Sequence, residues 1–81
     1  MATDHELTLY VMTGCPYCLK VKHFLADNGV TIPERNISTD TEAEQTLIAV
    51  GGKRQVPCLF IDGKPLYESS DIIAWAQENL L

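Results

Sequence analysis

The run Leu7-Thr8-Leu9-Tyr10-Val11-Met12 constrains the fold more than any other stretch. It is β-prone and almost wholly apolar, so as a strand it has no face that tolerates water and must lie in a sheet covered on both sides. Thr13-Gly14 interrupts it. From Pro16 to Asn28 the apolar residues then recur at helical spacing, with Cys18, Val21 and Leu25 on one stripe and Phe24 beside it. Lys20, Lys22, His23 and Asp27 take the wet side. Pro16 suits the first turn of a helix, where its missing N–H costs nothing, and Asn28-Gly29 is a stop signal.

The remaining elements follow the same alternation. Val30 to Ile37 reads as a second strand, with Pro33 marking an edge position or a bulge. Ser38-Thr39-Asp40 can cap a second helix that runs to about Val50 and turns Ala43, Leu47, Ile48 and Val50 inward, before Gly51-Gly52 ends it. Cys58 to Ile61 is a third strand too apolar to face water, and Asp62-Gly63-Lys64 is a hairpin signal leading into the return strand Pro65-Leu66-Tyr67. Ser69 or Ser70 caps a last helix through Asn79 that buries Ile72, Ile73, Ala76 and Leu80. The expected order is βαβαββα: an α/β fold over residues 1–81 as one domain, with a four-stranded mixed sheet and three helices on its two faces.

That layering answers a size problem. A chain of 81 residues buries only about 60% of the surface its unfolded form exposes. Many domains this small need a staple, yet the chain has three cysteines, an odd number that does not pair into a disulfide framework. The 11 acidic and 6 basic residues give a net charge of -5, which argues against nucleic-acid binding. The polar, acidic opening from Met1 to Glu6 is the reverse of a signal peptide, and no apolar stretch reaches the roughly 20 residues of a membrane helix. A reducing, cytoplasmic home is expected, with no membrane partner.

Cys15-Pro16-Tyr17-Cys18 falls between the first strand and the first helix. The unpaired N–H groups and the dipole of a helix start favour a thiolate, so Cys15 is expected to be acidified and nucleophilic. Cys18, nearly one turn in, is expected to be less exposed and to resolve the mixed disulfide that Cys15 forms, making the two a redox-active pair. Half of a zinc site is the competing reading, but the chain has no second C-x-x-C and its histidines lack ligand spacing, so no metal is expected.

Together with Val56-Pro57 before an apolar strand, Asp62-Gly63, and Glu68-Ser69-Ser70-Asp71 at the last helix, this motif makes the chain resemble the glutaredoxins of the thioredoxin-fold superfamily. The stretch from Val56 to Ser69 also resembles the N-terminal domain of glutathione transferases. The resemblance implies a thioredoxin fold and a glutathione-dependent thiol–disulfide oxidoreductase, with glutathione as co-substrate and glutathionylated or disulfide-bonded proteins as partners of a monomer. It also implies a cis Pro57 facing Cys15, with the Val56 backbone offered to the extended tripeptide; from base rate alone Pro57 is an ordinary trans proline starting a strand.

A helix start with hydroxyls reads either as simple capping or as a carboxylate pocket. By resemblance, Ser69 and Ser70 hold the γ-glutamyl carboxylate, while Asp71 or Glu68 meets the ammonium. Lys20, Lys53, Arg54 and Gln55 are candidates for the glycyl carboxylate, with Gln55 best placed beside Val56-Pro57. Many glutaredoxins carry a lysine shortly before C-P-Y-C, where this chain has Met12 and Thr13. Tyr17 shelters the bound sulfur or packs locally. Cys58 reads as core, Trp75 as packing, and His5 and His23 as solvent-facing without a role. Two alternatives stay open: a donor reduced by thioredoxin reductase, which Glu68-Ser69-Ser70-Asp71 argues against, and an iron–sulfur carrier using Cys15 and glutathione, which Pro16 argues against.

Overall fold

The computed structural model describes residues 5–81; the opening residues 1–4, part of the stretch read above against a signal peptide, lie outside the described residues. The elements are β1 (Leu7–Val11), α1 (Pro16–Asp27), β2 (Glu34–Asn36), α2 (Thr41–Gly51), β3 (Cys58–Ile61), β4 (Lys64–Tyr67) and α3 (Ser69–Asn79). The sheet order is β2-β1-β3-β4. β1 pairs with β2 in parallel and with β3 antiparallel, and β3 with β4 antiparallel. The doubly buried run therefore occupies a central strand.

Period-two alternation along β1 and β3 divides the apolar residues between two cores. Leu9, Val11 and Leu59 point to the side of α1 and α3, where they pack with Cys15, Cys18, Val21, Leu25, Ile32, Ile72 and Ala76. Tyr10, Cys58 and Phe60 point to the other side and meet Ile37 and the α2 residues Ala43 and Leu47. Leu9, Leu47 and Leu59 have no exposed surface, and burying each contributes about 1.5–3 kcal/mol.

Three expectations about the elements change. β2 is shorter than the predicted Val30–Ile37, beginning only at Glu34. Pro33 has no N–H to give a ladder, although its carbonyl accepts from the Leu9 N–H at 2.8 Å. In α2 only Ala43 and Leu47 are buried, while Ile48 and Val50 are exposed. Ile48 lies about 100° round the helix from Leu47, and Val50 stands in the last turn of α2. Neither serine caps α3: its N-cap is Glu68, which makes no side-chain capping bond. Ile73 and Leu80 are half-buried, packed at the margin of the first core.

Two polar features brace the frame. Asp62 opens the tight β3–β4 turn and ties it to the residues just before β1. Its carboxylate accepts from the Glu6 N–H at 2.8 Å and lies 2.6 Å from His5 Nδ1. The Glu6 N–H, then His5, hold its carboxyl below the usual range. His5 also meets Trp75 edge-on, with ring centroids 5.3 Å apart, so it joins the chain start to α3, a role not foreseen from its place in the sequence.

Candidate active site

α1 begins at the thiols. Cys15 is its N-cap in an extended conformation, Pro16 follows inside the first turn, and the Cys18 N–H donates to Cys15 Sγ at 3.3 Å. Gly14, with φ of 78°, makes the left-handed turn that delivers the chain into this cap, a conformation costly to any residue with a Cβ. Both thiols are free. Cys18 is the less exposed of the two, but Cys15 is also covered, at 7% against 2%, so the contrast between them is smaller than the sequence implied. Burial, and then its own hydrogen bond to Cys15, push the Cys18 thiol up to about 12. Cys18 is thus held protonated while two donors, its N–H and its S–H, face the Cys15 sulfur.

The loop before Cys15 is anchored from the junction of β2 and α2. The Thr13 N–H donates to Ser38 Oγ at 3.2 Å, Asn36 Nδ2 donates to Thr13 Oγ1 at 3.0 Å, and the Ser38 N–H donates to Asn36 Oδ1 at 2.8 Å. In the sequence Thr13 marks the break after the first strand and the place of the missing lysine, and nothing there shows it as an anchor. Nothing local in Asn36 or Ser38 announces a partner some two dozen positions back.

A hollow of about 380 Å³ is lined by Tyr17, Gln55, Val56, Pro57, Glu68 and Ser69. Six of the candidate residues thereby meet around one cavity beside the C-P-Y-C turn. The Val56–Pro57 peptide is cis. Glu68 adopts φ of 73°, uncommon for a residue with a Cβ, and α3 opens from it. The Ile72 N–H is the first bonded back, to the Glu68 carbonyl at 3.0 Å. The N–H groups of Ser69, Ser70 and Asp71 belong to the unpaired first turn, which favours an anion. Ser69 is buried and Ser70 and Asp71 are exposed.

The cations are placed otherwise than expected. Arg54 is bound to Glu44 of α2, Lys53 Nζ lies 4.6 Å from the centroid of the Tyr67 ring, and Lys20 is exposed outside the hollow's lining. They do not gather at the groove, because acidic and aromatic partners on α2 and β4 engage two of them. Gln55 is the candidate that does reach it, and its Nε2 donates to Glu68 Oε2 at 3.1 Å.

Cys58 has no exposed surface and faces the α2 side of the sheet, with the thiol pushed up to about 11 chiefly by burial. A larger hollow, of about 760 Å³, lies at the chain-end side of the molecule between His5, Val30, Ile32 and Leu81. Neither hollow has a cysteine in its lining, but only the smaller one includes Tyr17 of the C-P-Y-C turn, so size alone does not mark the site. Among the described residues no cluster of three His, Cys, Asp or Glu is placed to hold a metal ion. Among them, too, no helix is long and apolar enough to cross a membrane.

The glutaredoxin family model matches residues 7–66, from β1 into β4. The chain belongs to the glutaredoxin family. It is 38% identical over 60 residues to Glutaredoxin 1 of Rickettsia felis, covering 72% of this chain and 59% of that protein, so it spans under two thirds of that relative's length. It is 30% identical over 69 residues to Glutaredoxin 3 of Escherichia coli, covering 85% of this chain and 83% of that one. Among solved structures, the thioredoxin-like protein BC3987 superposes with a TM-score of 0.76 at 28% identity, over 89% of this chain and 96% of its own. Glutathione transferase Omega 3C of Trametes versicolor superposes with a TM-score of 0.77 at 24% identity, over 94% of this chain and 34% of its own, a likeness of fold. The expected thioredoxin fold is the one observed; the two thiols and the Tyr17, Gln55, Val56 and Pro57 part of the groove fall within the residues that the family model matches, while Glu68 and Ser69 lie beyond them.

Proposed function

We propose that this glutaredoxin is a glutathione-dependent thiol–disulfide oxidoreductase with Cys15 as nucleophile. The observation that carries the reading is the Cys15 sulfur at the N-cap of α1, accepting from the Cys18 N–H, beside a groove walled by Tyr17, Val56-Pro57 and Ser69. In the one-thiol route the Cys15 thiolate attacks the glutathionyl sulfur of a protein–glutathione mixed disulfide. The S–S bond breaks, the protein thiolate leaves and takes up a proton, and Cys15 carries the glutathionyl group. The thiolate of a second glutathione attacks that sulfur, releasing glutathione disulfide and the Cys15 thiolate.

In the two-thiol route Cys15 attacks a protein disulfide. That attack breaks the protein disulfide into a Cys15–protein mixed disulfide and one protein thiolate, which takes the Cys18 proton. Cys18 then attacks the Cys15 sulfur and the mixed disulfide breaks. The second protein thiolate leaves and is protonated from solvent, and the Cys15–Cys18 disulfide closes. Two glutathiones return the pair to thiols and leave as one disulfide. Glutathione is held by the Val56 backbone, by the first turn of α3 at Ser69 and Ser70, and by Glu68 or Asp71 at its ammonium. Gln55 is the nearest group for the glycyl carboxylate; Arg54 serves only by releasing Glu44, and Lys20 only by swinging in. One chain supplies both thiols and the groove, which supports a monomer working in a reducing compartment such as the cytoplasm.

The test is a glutathione-coupled assay with glutathione reductase on wild type, Cys15→Ser and Cys18→Ser. Cys15→Ser is expected to abolish turnover, while Cys18→Ser keeps removal of glutathione from a peptide and loses reduction of a protein disulfide. Turnover by Cys15→Ser would remove Cys15 from the nucleophile's role. A second reading, direct reduction by thioredoxin reductase, is favoured by two observations: the likeness to a thioredoxin-like protein, and a groove lining that holds the carboxylate of Glu68 and no cation among the described residues. NADPH consumption with either reductase separates the two.

A further inference from the structure

Residues 52–57 join α2 to β3 and carry one wall of the groove. Each of three successive residues in this loop is tied to a different element. Lys53 offers its carbonyl to Tyr67 Oη at 3.1 Å. Arg54 pairs with Glu44 on α2, and Gln55 bonds Glu68 at the head of α3. The second and third ties join one flexible side chain to another, with Arg54 and Glu68 exposed and Glu44 and Gln55 half-buried like Tyr67, and pairs of that kind hold geometry weakly. Tyr67 differs. Its ring carries the Lys53 ammonium on its face, and its hydroxyl holds the main chain of the loop itself.

The helix end is shaped around that hydroxyl. A Cβ built on Gly51 would stand 2.2 Å from Tyr67 Oη and 3.2 Å from Cζ, so only glycine leaves room for the phenol at the last residue of α2. Burial, and then the neighbouring Cys58, raise the Tyr67 phenol above its ordinary value, which already lies far above neutral pH, so the hydroxyl is an O–H donor there.

We propose that Tyr67, seated against Gly51 and bonded to the Lys53 carbonyl, is a positioning residue that sets the groove-lining loop at the distance from Cys15 that a disulfide substrate requires. The substrate part of this proposal rests on the glutathione reading above; the bracing part does not. Tyr67 lies on the α2 side and touches neither thiol of the redox pair, so it acts on affinity through the loop and leaves the sulfur chemistry alone.

The experiment compares wild type, Tyr67→Phe, Gly51→Ala and the double variant. Amide hydrogen exchange of residues 53–56 is expected to accelerate about fivefold in Tyr67→Phe, the size expected for one lost hydrogen bond, while β1 and α1 are unchanged. KM for a glutathionylated peptide is expected to rise by about the same factor with kcat within about twofold, and iodoacetamide, which needs no groove, should alkylate Cys15 at the wild-type rate. Gly51→Ala acts in the same direction on wild type and adds less than about twofold in the Tyr67→Phe background, where the hydroxyl is gone and only the milder approach to ring Cζ remains. Unchanged loop exchange, or a fall in Tm with KM unaltered, overturns the proposal, as does a full Gly51→Ala effect in the double variant. A wild type that fails on the glutathionylated peptide rejects the glutathione reading alone, and the exchange data still decide the bracing.

Discussion

The two faces of the sheet each bury a cysteine, and they treat it in nearly the same way. On the α1–α3 side Cys18 is pushed to about 12, and on the α2 side Cys58 to about 11, both chiefly by removal from water. Their surroundings differ. Cys18 touches a second sulfur at the start of a helix, within reach of a groove. Cys58 is packed among Tyr10, Ile37, Ala43, Leu47 and Phe60, with no second cysteine in that core. Burial makes both thiols unreactive at rest; only Cys18 has a neighbouring sulfur whose oxidation gives it something to attack. Cys58 follows Pro57 directly, yet the alternation of β3 carries its side chain through the sheet, away from the pair.

The sharpest way to break this contrast is alkylation of the reduced protein. At pH 8 a thiol titrating near 12 is ionised to about one part in ten thousand, and one near 11 to about one in a thousand. Mass mapping should find the label on Cys15 first. Reaction at Cys18 and Cys58 is expected to climb about tenfold per pH unit until pH nears those values, and all three should react in denaturant. Early label on Cys58 would overturn its assignment to the core.

Next in size, Leu47→Ala should cost about 3 kcal/mol by opening a cavity in the α2-side core, read by urea unfolding. The folded fraction should keep the wild-type rate of Cys15 alkylation, since the thiols sit in the other core. A smaller effect is expected for Cys58→Ala, about 1 kcal/mol with turnover within about twofold of wild type. Its pH dependence has a definite sign. A thiol whose folded value is raised stabilises the fold fully below the unfolded value of 9.0, and that contribution is lost as pH rises toward 11. Wild type should therefore lose stability between pH 9 and 11 that Cys58→Ala keeps.

The smallest effect is expected on the exposed tie at the chain start, which neither core includes. Asp62→Asn should lower Tm slightly at neutral pH. Because the Asp62 carboxyl is held below its usual value, that difference should shrink as pH falls through the carboxylate range, as scanning calorimetry would show.

Much of this molecule is legible in its sequence because the signals are local. The central strand followed from an apolar run without a wet face, α1 from Pro16 and the spacing of Cys18, Val21 and Leu25, and the hairpin from Asp62-Gly63. The errors also have local causes. Pro33 suggests a strand that in fact begins after it, and Ile48 and Val50 look inward because hydrophobicity marks what can be buried, while the packing of the fold decides what is. Ser69 and Ser70 are the caps the sequence offers, yet the helix starts from a bend just before both, at Glu68.

By itself, then, the sequence determined the order of the elements and the position of Cys15 and Cys18 at a helix start, since both depend on residues within a few positions of one another. Tertiary structure alone decided which groups complete the site. Arg54 lies 10 residues from Glu44, Gln55 lies 13 from Glu68 and Tyr67 lies 14 from Lys53. Each pair meets only after the chain has gone round the end of a helix or through a hairpin. Charge and hydrogen-bonding capacity can be read from residue type, but the partner that uses them is chosen by where the backbone brings two distant segments within about 3 Å.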